Sequence, residues 1–308
     1  MIPVRRSLLK GGAALGALIA APAWVRAQAT PTERHFAPQP GAWRTFEITT
    51  RVELAEPFGP TRIWVPVPSI DSDWQKSLGS SYTSNGKARM ASDGAEGARM
   101  VYAEFASGVK PVLEVTSRVQ TRHRADLGVP RALQKEDAST LRHYTRATAM
   151  LPTGGIVRKT ALQATQGAKT DLDKARAIYQ WVVANAWREP KVRGCGEGDI
   201  RTMLETGNLG GKCADINALF VGLCRAVGLP ARDVYGLRLG PSAFGYKELS
   251  GNAANLKSAQ HCRAEVYLQA HGWVAMDPAD VAKVMRLETA EWIKRSDHPV
   301  VAPVYKHL

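Results

Sequence analysis

Cysteine is scarce in this sequence, with four residues among 308 and no C-x-x-C pair. A framework of several disulfides, on which small secreted domains depend, is therefore excluded. Zinc ligands usually come in closely spaced pairs, so Cys195, Cys213, His261 and Cys262 do not predict a zinc site. A calcium loop of the form D-x-D-x-D-G is also missing. We expect no metal and no other cofactor.

Long apolar runs and dense basic tracts are missing as well. No stretch has the roughly 20 apolar residues that a bilayer-spanning helix needs. The net charge is +13, but Lys and Arg are not gathered into runs interleaved with aromatic residues, which argues against a nucleic-acid partner. With 44% hydrophobic and 22% charged residues, the composition is that of a folded protein with a core. The oligomeric state is left open.

The first 27 residues have the form of an export signal. Residues 5–10 read RRSLLK, residues 11–24 form a short apolar region, and residues 25–27 (VRA) offer a small-x-small cleavage site. This pattern resembles bacterial twin-arginine signals, whose cargo crosses the membrane already folded. We expect a signal peptide at residues 1–27 and a periplasmic or secreted mature protein without stable membrane insertion. An uncleaved anchor is the alternative.

Residues 40–128 are predicted to form a small β-rich domain. Strand patterns occur at Trp43–Leu54, Thr61–Pro66, Met100–Phe105 and Val112–His123. Residues 71–97 are rich in Ser, Gly and Asn and are predicted to be loops. The domain carries no recognisable chemistry, so we interpret it as a packing partner, with substrate binding as the alternative. Residues 127–130 (LGVP) are predicted to be the linker.

Beyond the linker, residues 131–308 combine helices and strands. Helical patterns cover Ala132–Ala149, Asp171–Trp187 and Ile200–Glu205. Strands are predicted at Val234–Leu239, His261–Gln269 and Trp273–Met276, and a hairpin turn at residues 270–272 joins the last two. The second domain is therefore predicted to be α+β.

Residues 210–215 (GGKCAD) stand at the start of a predicted amphipathic helix. Its apolar residues recur on one face as far as Val227, and Gly228 and Pro230 end it. Cys213 would lie on its first turn, where the helix dipole and free N–H groups favour a thiolate. Asp215 is interpreted as an acid that compensates the dipole.

An imidazole and a carboxylate that could serve Cys213 lie on the predicted hairpin. His261 opens one strand and Asp277 follows the other. A thiol nucleophile needs an imidazole to share its proton and an acid or amide to orient that imidazole. Asp280 is an alternative to Asp277. Cys224 is predicted to be core, and a disulfide between Cys195 and Cys262 stays open.

Three motifs in order resemble those of the transglutaminase-like superfamily. They are GKCAD at 211–215 with LFVGLCRAVGLPAR at 219–232, His261 with EVY at 265–267, and GWV at 272–274 leading to Asp277-Pro278. The resemblance implies an α+β, papain-like transglutaminase core with Cys213 as nucleophile, His261 as general base and Asp277 as its orienter. Cys262 departs from the pattern, since an aromatic or small residue is expected there.

The chemistry that the resemblance implies is acyl transfer from a peptide or protein substrate through a Cys213 thioester. Hydrolysis of peptide or isopeptide amides is the leading interpretation. A protein-glutamine acyltransferase and a non-catalytic binding or assembly module are the alternatives. The oxyanion would meet the Cys213 backbone N–H and a side-chain donor, for which Trp187 is the candidate. Gln180 and Trp181 compete with Trp187, and all three could instead be packing residues.

Overall fold

The structure is a computed structural model that describes residues 40–124, 135–243 and 245–288. The expected signal peptide at residues 1–27, the predicted linker at residues 127–130 and the carboxyl-terminal 20 residues lie outside the described residues. No helix in the described ranges has the length and apolar character needed to cross a membrane.

Six antiparallel strands occupy the first described range. They are β1 (Arg44–Glu53), β2 (Thr61–Pro66), β3 (Gln75–Ser84), β4 (Lys87–Ser92), β5 (Arg99–Phe105) and β6 (Val112–Thr121). They form two sheets with the orders β1-β6-β3 and β2-β5-β4. Alternate side chains of β2, β5 and β6, among them Val65, Val101 and Leu113, are buried in one apolar cluster. The burial period of two follows from strand geometry.

The prediction of loops at residues 71–97 is wrong, because β3 and β4 lie there. Five of the ten residues of β3 are Ser or Thr, and Leu78 is 46% exposed. A strand that buries so little shows no hydrophobic alternation in its sequence. Its pairing with β6 also shifts register between Ser77 and Ser80, which breaks the pattern further.

The second part is α+β, as the sequence predicts. Its helices are α1 (Ala138–His143), α2 (Gly155–Ala164), α3 (Asp171–Asn185), α4 (Ile200–Thr206), α5 (Cys213–Ala226) and α6 (Pro278–Leu287). Its strands are β7 (Trp187–Arg188), β8 (Gly210–Gly211), β9 (Ala231–Leu237), β10 (Gln260–Leu268) and β11 (Gly272–Met276). Strands β11, β10 and β9 form an antiparallel sheet in that order.

Helix α5 is the centre of this part. Every residue of α5 after Cys213 is buried, and the helix packs against β9, β10 and helices α2, α3, α4 and α6. Leu219, Phe220 and Leu223 are fully buried, and each such side chain contributes about 1.5–3 kcal/mol to the hydrophobic stabilisation. The packing of α5 therefore fixes the position of its first residue, Cys213.

The helix predicted at Ala132–Ala149 is much shorter in the structure. Asp137 caps α1 by accepting from the N–H groups of Ser139 and Thr140, which sets the start of the helix. After His143 the chain turns, and α2 and α6 follow later at positions where the sequence analysis placed no helix. Helices α2 and α6 have 10 residues each, fewer than about three helical turns, so their sequences contain too few repeats for a periodic pattern to stand out.

Glu265 on β10 joins the β-rich part to the α+β part. Arg124, which follows β6, donates to Glu265 Oε1 at 2.7 Å, and Arg232 donates to Oε2 at 2.8 Å. Burial opposes ionisation of Glu265, but Arg124, Arg232 and Arg263 outweigh it and lower its pKa. The Arg232 guanidinium also stacks on the ring of Trp273, 4.0 Å from its centroid.

Replacement of Glu265 by Ala should lower the free energy of unfolding by about 3 kcal/mol, because the partly buried Arg124 and Arg232 would lose their buried counter-charge. Urea denaturation followed by circular dichroism measures this change. Because the folded pKa of Glu265 lies below its ordinary value of 4.5, its stabilisation is present above that value and is lost as the pH falls through the folded pKa.

The matched control is Glu114→Ala, which removes an exposed ion pair with Arg51. Exposed pairs contribute little, so this variant should keep the wild-type midpoint. Equal effects of the two substitutions would contradict the bridging role of Glu265.

Candidate active site

The start of α5 is fixed by a short parallel bridge. Arg188 of β7 lies opposite Gly211 of β8, and the Glu189 N–H donates to the Gly211 carbonyl at 2.8 Å. Lys212 is the extended N-cap, so Cys213 is the first helical residue. A first helical residue has no intrahelical acceptor for its N–H, so helix α5 leaves the Cys213 N–H available to another acceptor.

Asp215 clamps a second segment onto this helix start. Its carboxylate accepts from the backbone N–H groups of Glu197 at 2.8 Å, Gly198 at 2.9 Å and Lys212 at 2.9 Å. Gly196 has φ +102°, and a side chain there would collide with the Asp215 carboxylate. The Asp215 carboxylate therefore does more than compensate the helix dipole, which was its predicted role. It positions residues 196–198 against Cys213.

The structure brings His261 and Asp277 together beside Cys213. His261 lies at the start of β10, and Asp277 follows β11 and caps α6. His261 Nε2 is 2.6 Å from Asp277 Oδ2, and the imidazole also interacts with the Cys213 side chain. Asp280, the alternative orienter, lies at 3.6 Å and is held by two 2.7 Å bonds from Arg238. The closer carboxylate is that of Asp277.

Asn217 is a site residue that the sequence analysis missed. It lies one turn after Cys213 and is completely buried. Its amide donates to the Cys262 carbonyl at 2.7 Å and to Asp277 Oδ1 at 3.3 Å. One signal was available, since Asn217 is a polar residue within the apolar run of α5. It joins the helix, the strand and the carboxylate at one point.

The Cys213 thiol is strongly acidified, with its pKa lowered to about 3. The largest cause is a hydrogen bond from the Cys262 thiol; burial opposes the shift, and His261 and the Cys262 N–H add to it. For His261, burial lowers the pKa, but the charge and hydrogen bond of Asp277 and the bond to Cys213 raise it to about 10. Cys213 and His261 are therefore a thiolate–imidazolium pair at neutral pH.

The other cysteines do not form disulfides, since all four thiols are free. Burial raises the pKa of Cys195, with Cys213 adding to the shift. The hydrogen bond to Cys213 raises the pKa of Cys262. Both thiols therefore stay protonated beside the thiolate. Cys224 is fully buried in the core, as predicted.

The candidate oxyanion donor Trp187 lies outside the pocket at Cys213. A pocket of about 140 Å³ is lined by Cys213, His261 and twelve other residues, and Trp187, Trp181 and Gln180 are not among them. The Trp187 indole covers Gly210 instead, where a Cβ would lie 2.6 Å from its Nε1. This contact favours a packing role for Trp187 in the structure described.

A metal ion has one conceivable site here. His261, Asp277 and Asp280 offer ligand atoms within 4.8 Å of one another. Each ligand atom is already engaged, however, because Asp277 binds His261 and Asp280 binds Arg238. An imidazole held as imidazolium has no free lone pair for a metal. The cluster is built as a chain of ion pairs.

Comparisons with known proteins agree with this architecture. Residues 158–278 match the model of the transglutaminase-like superfamily. An uncharacterized protein of Haemophilus influenzae is 35% identical over 278 residues, which cover 83% of this chain and 74% of that protein. The crystal structure of a putative cysteine protease from Cytophaga hutchinsonii has a TM-score of 0.58 at 17% identity and 79% coverage of both chains. The periplasmic domain of TgpA from Pseudomonas aeruginosa, 16% identical, has a TM-score of 0.43 with 84% of this chain and 77% of that one covered.

Alkylation of Cys213 by iodoacetamide should be fast and nearly independent of pH between about 5 and 8, since its pKa is about 3 and that of His261 about 10. Replacing Cys262 by Ala removes the main thiol donor, so the apparent pKa of Cys213 should rise by about one unit or more. Mass spectrometry locates the label and gives the rate at each pH.

Cys224→Ala is the control for this experiment, because it removes a thiol that burial alone perturbs. The rates must be followed down to about pH 3, where the Cys213 thiolate is titrated. An unchanged apparent pKa in Cys262→Ala would show that the Cys262 thiol does not act on Cys213.

Asn217→Ala should lower the free energy of unfolding by about 1–3 kcal/mol, since the buried Cys262 carbonyl loses its donor. It should also move the pH profile of Cys213 alkylation, because Asp277 is no longer held under His261. Urea denaturation and the labelling assay measure the two effects. Asn185→Ala, at the exposed end of α3, is the matched control. If Asn217→Ala changed the stability but not the pH profile of alkylation, Asn217 would have a structural role in the core and no effect on Cys213.

Proposed function

This chain belongs to the transglutaminase-like superfamily, and we propose that it is a cysteine-dependent acyl-transfer enzyme. Cys213 would be the nucleophile, His261 the general base and acid, and Asp277 the group that orients the imidazole. The observation that carries the proposal is that Cys213 and His261 line one pocket, with His261 Nε2 2.6 Å from Asp277 Oδ2. A thiolate so paired is a nucleophile at neutral pH.

The proposed reaction begins with attack of the Cys213 thiolate on an amide carbonyl carbon. The oxyanion that forms would accept from the Cys213 N–H and a second donor, for which Trp187 remains the prediction. Collapse breaks the C–N bond, and His261 gives its proton to the leaving amine. The resulting thioester is then attacked by water, whose proton His261 takes before the acid and the thiol are released.

We propose hydrolysis of peptide or isopeptide amides as the outcome. The pocket at Cys213 is lined mostly by charged and polar side chains, with Ile216, Ala259 and Ala279 as its apolar members, and such a lining gives water access to a thioester. A protein-glutamine acyltransferase, in which a lysine amine replaces water, is the second candidate. A non-catalytic binding or assembly module is the third, and the acidic Cys213 thiol argues against it.

The remaining parts of the proposal concern location and domains. We propose export by the twin-arginine pathway, with the RRSLLK sequence at residues 5–10 as support, and a periplasmic or secreted mature protein. Its partner would be a peptide or protein substrate, without nucleic acid and without stable membrane insertion. We also propose that residues 40–128 form a β-rich domain that packs against a catalytic domain at residues 131–308.

Cys213→Ala and His261→Ala should each reduce amide cleavage by about 10⁴-fold or more, because members of a nucleophile–base unit act together. A mixed peptide library, analysed by mass spectrometry with and without a primary amine, measures this loss and identifies the product. Free acids support hydrolysis, and amine adducts support the acyltransferase.

His271→Ala is the matched control, since His271 lies at the hairpin tip, the opposite end of β10 from His261. Full activity in both Cys213→Ala and His261→Ala would overturn the assignment of the nucleophile.

A further inference from the structure

The pocket beside Cys213 has two sides that differ in charge. On the side formed by β9 and α6, each cation has an acidic partner. Arg238 donates to both oxygens of Asp280 at 2.7 Å, and Lys283 Nζ lies 3.1 Å from Glu248 Oε2. These pairs cancel most of the charge on that side.

Arg188 and Lys212 line the other side of the same pocket. The β7–β8 bridge brings them together, because Arg188 lies opposite Gly211, the residue before Lys212. Among the ion pairs of residues 40–124, 135–243 and 245–288, neither Arg188 nor Lys212 has an acidic partner. Both side chains are half-buried, and both act through their charge on Cys195 beside the nucleophile.

Cys213 carries one negative charge, which is paired with the His261 imidazolium, so it does not also neutralise two further cations. Once a thioester forms, Cys213 carries no charge, and Arg188 and Lys212 still line the same pocket. A half-buried pair of cations is stabilised by a carboxylate, which a guanidinium binds through two parallel hydrogen bonds.

We propose that Arg188 and Lys212 form a carboxylate-binding subsite and that the acyl donor is an acidic peptide. This inference rests on the proposed acyl-transfer function and adds its substrate class. The carboxylate lies close to the scissile amide, because the pocket of about 140 Å³ is bounded by Arg188, Lys212 and Cys213 together. It comes either from an acidic side chain or from the free carboxyl end of the peptide.

Two alkylating reagents of nearly equal size test the subsite without a known substrate. Iodoacetate carries a carboxylate, and iodoacetamide is neutral. The ratio of their rate constants at Cys213 should exceed the ratio on glutathione in the same buffer. It should fall about three- to tenfold in Arg188→Gln and in Lys212→Gln, and it should fall with added NaCl in the wild type.

Arg99→Gln is the matched control. Arg99 is exposed on β5, and its replacement by Gln changes the net charge by the same amount. Its rate ratio should equal that of the wild type. If Arg188 and Lys212 only stabilised the thiolate, both reagents would slow equally in the variants and the ratio would not change. That result overturns the subsite and leaves the acyl-transfer proposal standing, whereas slow reaction of Cys213 with both reagents in the wild type overturns both.

Protection of Cys213 from iodoacetamide separates the two sources of the carboxylate. One probe is an acetylated tripeptide amide with a central glutamate, compared with its glutamine analogue. The other is acetyl-trialanine with a free carboxyl end, compared with its amide. Protection by the glutamate peptide assigns the subsite to a side chain, and protection by the free acid assigns it to a peptide end. Equal protection by all four peptides overturns the proposal.

Discussion

The carboxylate of Asp215 is the contact on which the geometry of the site depends. It accepts from three backbone N–H groups, one in the N-cap of α5 and two in the loop at residues 197–198. The carbonyl of Cys195, just before this loop, accepts the Ala214 N–H at 2.9 Å. Because α5 is buried along its length, Asp215 transfers the rigidity of the core to the thiol at its first residue and to the loop beside it.

A series of charges then runs from Cys213 into the protein. The Cys213 thiolate is stabilised by the His261 imidazolium, and that imidazolium is stabilised by the Asp277 carboxylate. The Asn217 amide also donates to this carboxylate. Asp280 lies farther from His261 than Asp277 does. Burial, together with the charge of Asp277, raises the pKa of Asp280 to about 6. Two carboxylates lie near one imidazole, so Asp280 needs Arg238 as its own cation. Asp280 is therefore paired with Arg238, and His261 is paired with Asp277.

Sequence periodicity was sufficient for the elements that bury an apolar face. Helix α5 and the β10–β11 hairpin are strongly patterned, and these elements bring Cys213, His261 and Asp277 into contact. Strands β3 and β4 bury too little to show a pattern, and α2 and α6, at 10 residues each, are too short for their periodicity to stand out. Long-range polar contacts gave no signal at all, because the pairing of Arg124 with Glu265 spans 141 residues. The role of Asn217 likewise depends on Asp277, 60 residues away.

Cys262, the residue that departs from the family pattern, has a physical explanation in the structure. Its thiol hydrogen-bonds the Cys213 side chain and lowers the pKa of Cys213, which an aromatic side chain at this position could not do. Three neighbouring thiols could compete for a single negative charge. The pKa shifts resolve this competition, since those of Cys195 and Cys262 are raised and that of Cys213 is lowered. A cluster of three cysteines therefore carries a single thiolate, and it is located where the helix N-terminus and His261 both act.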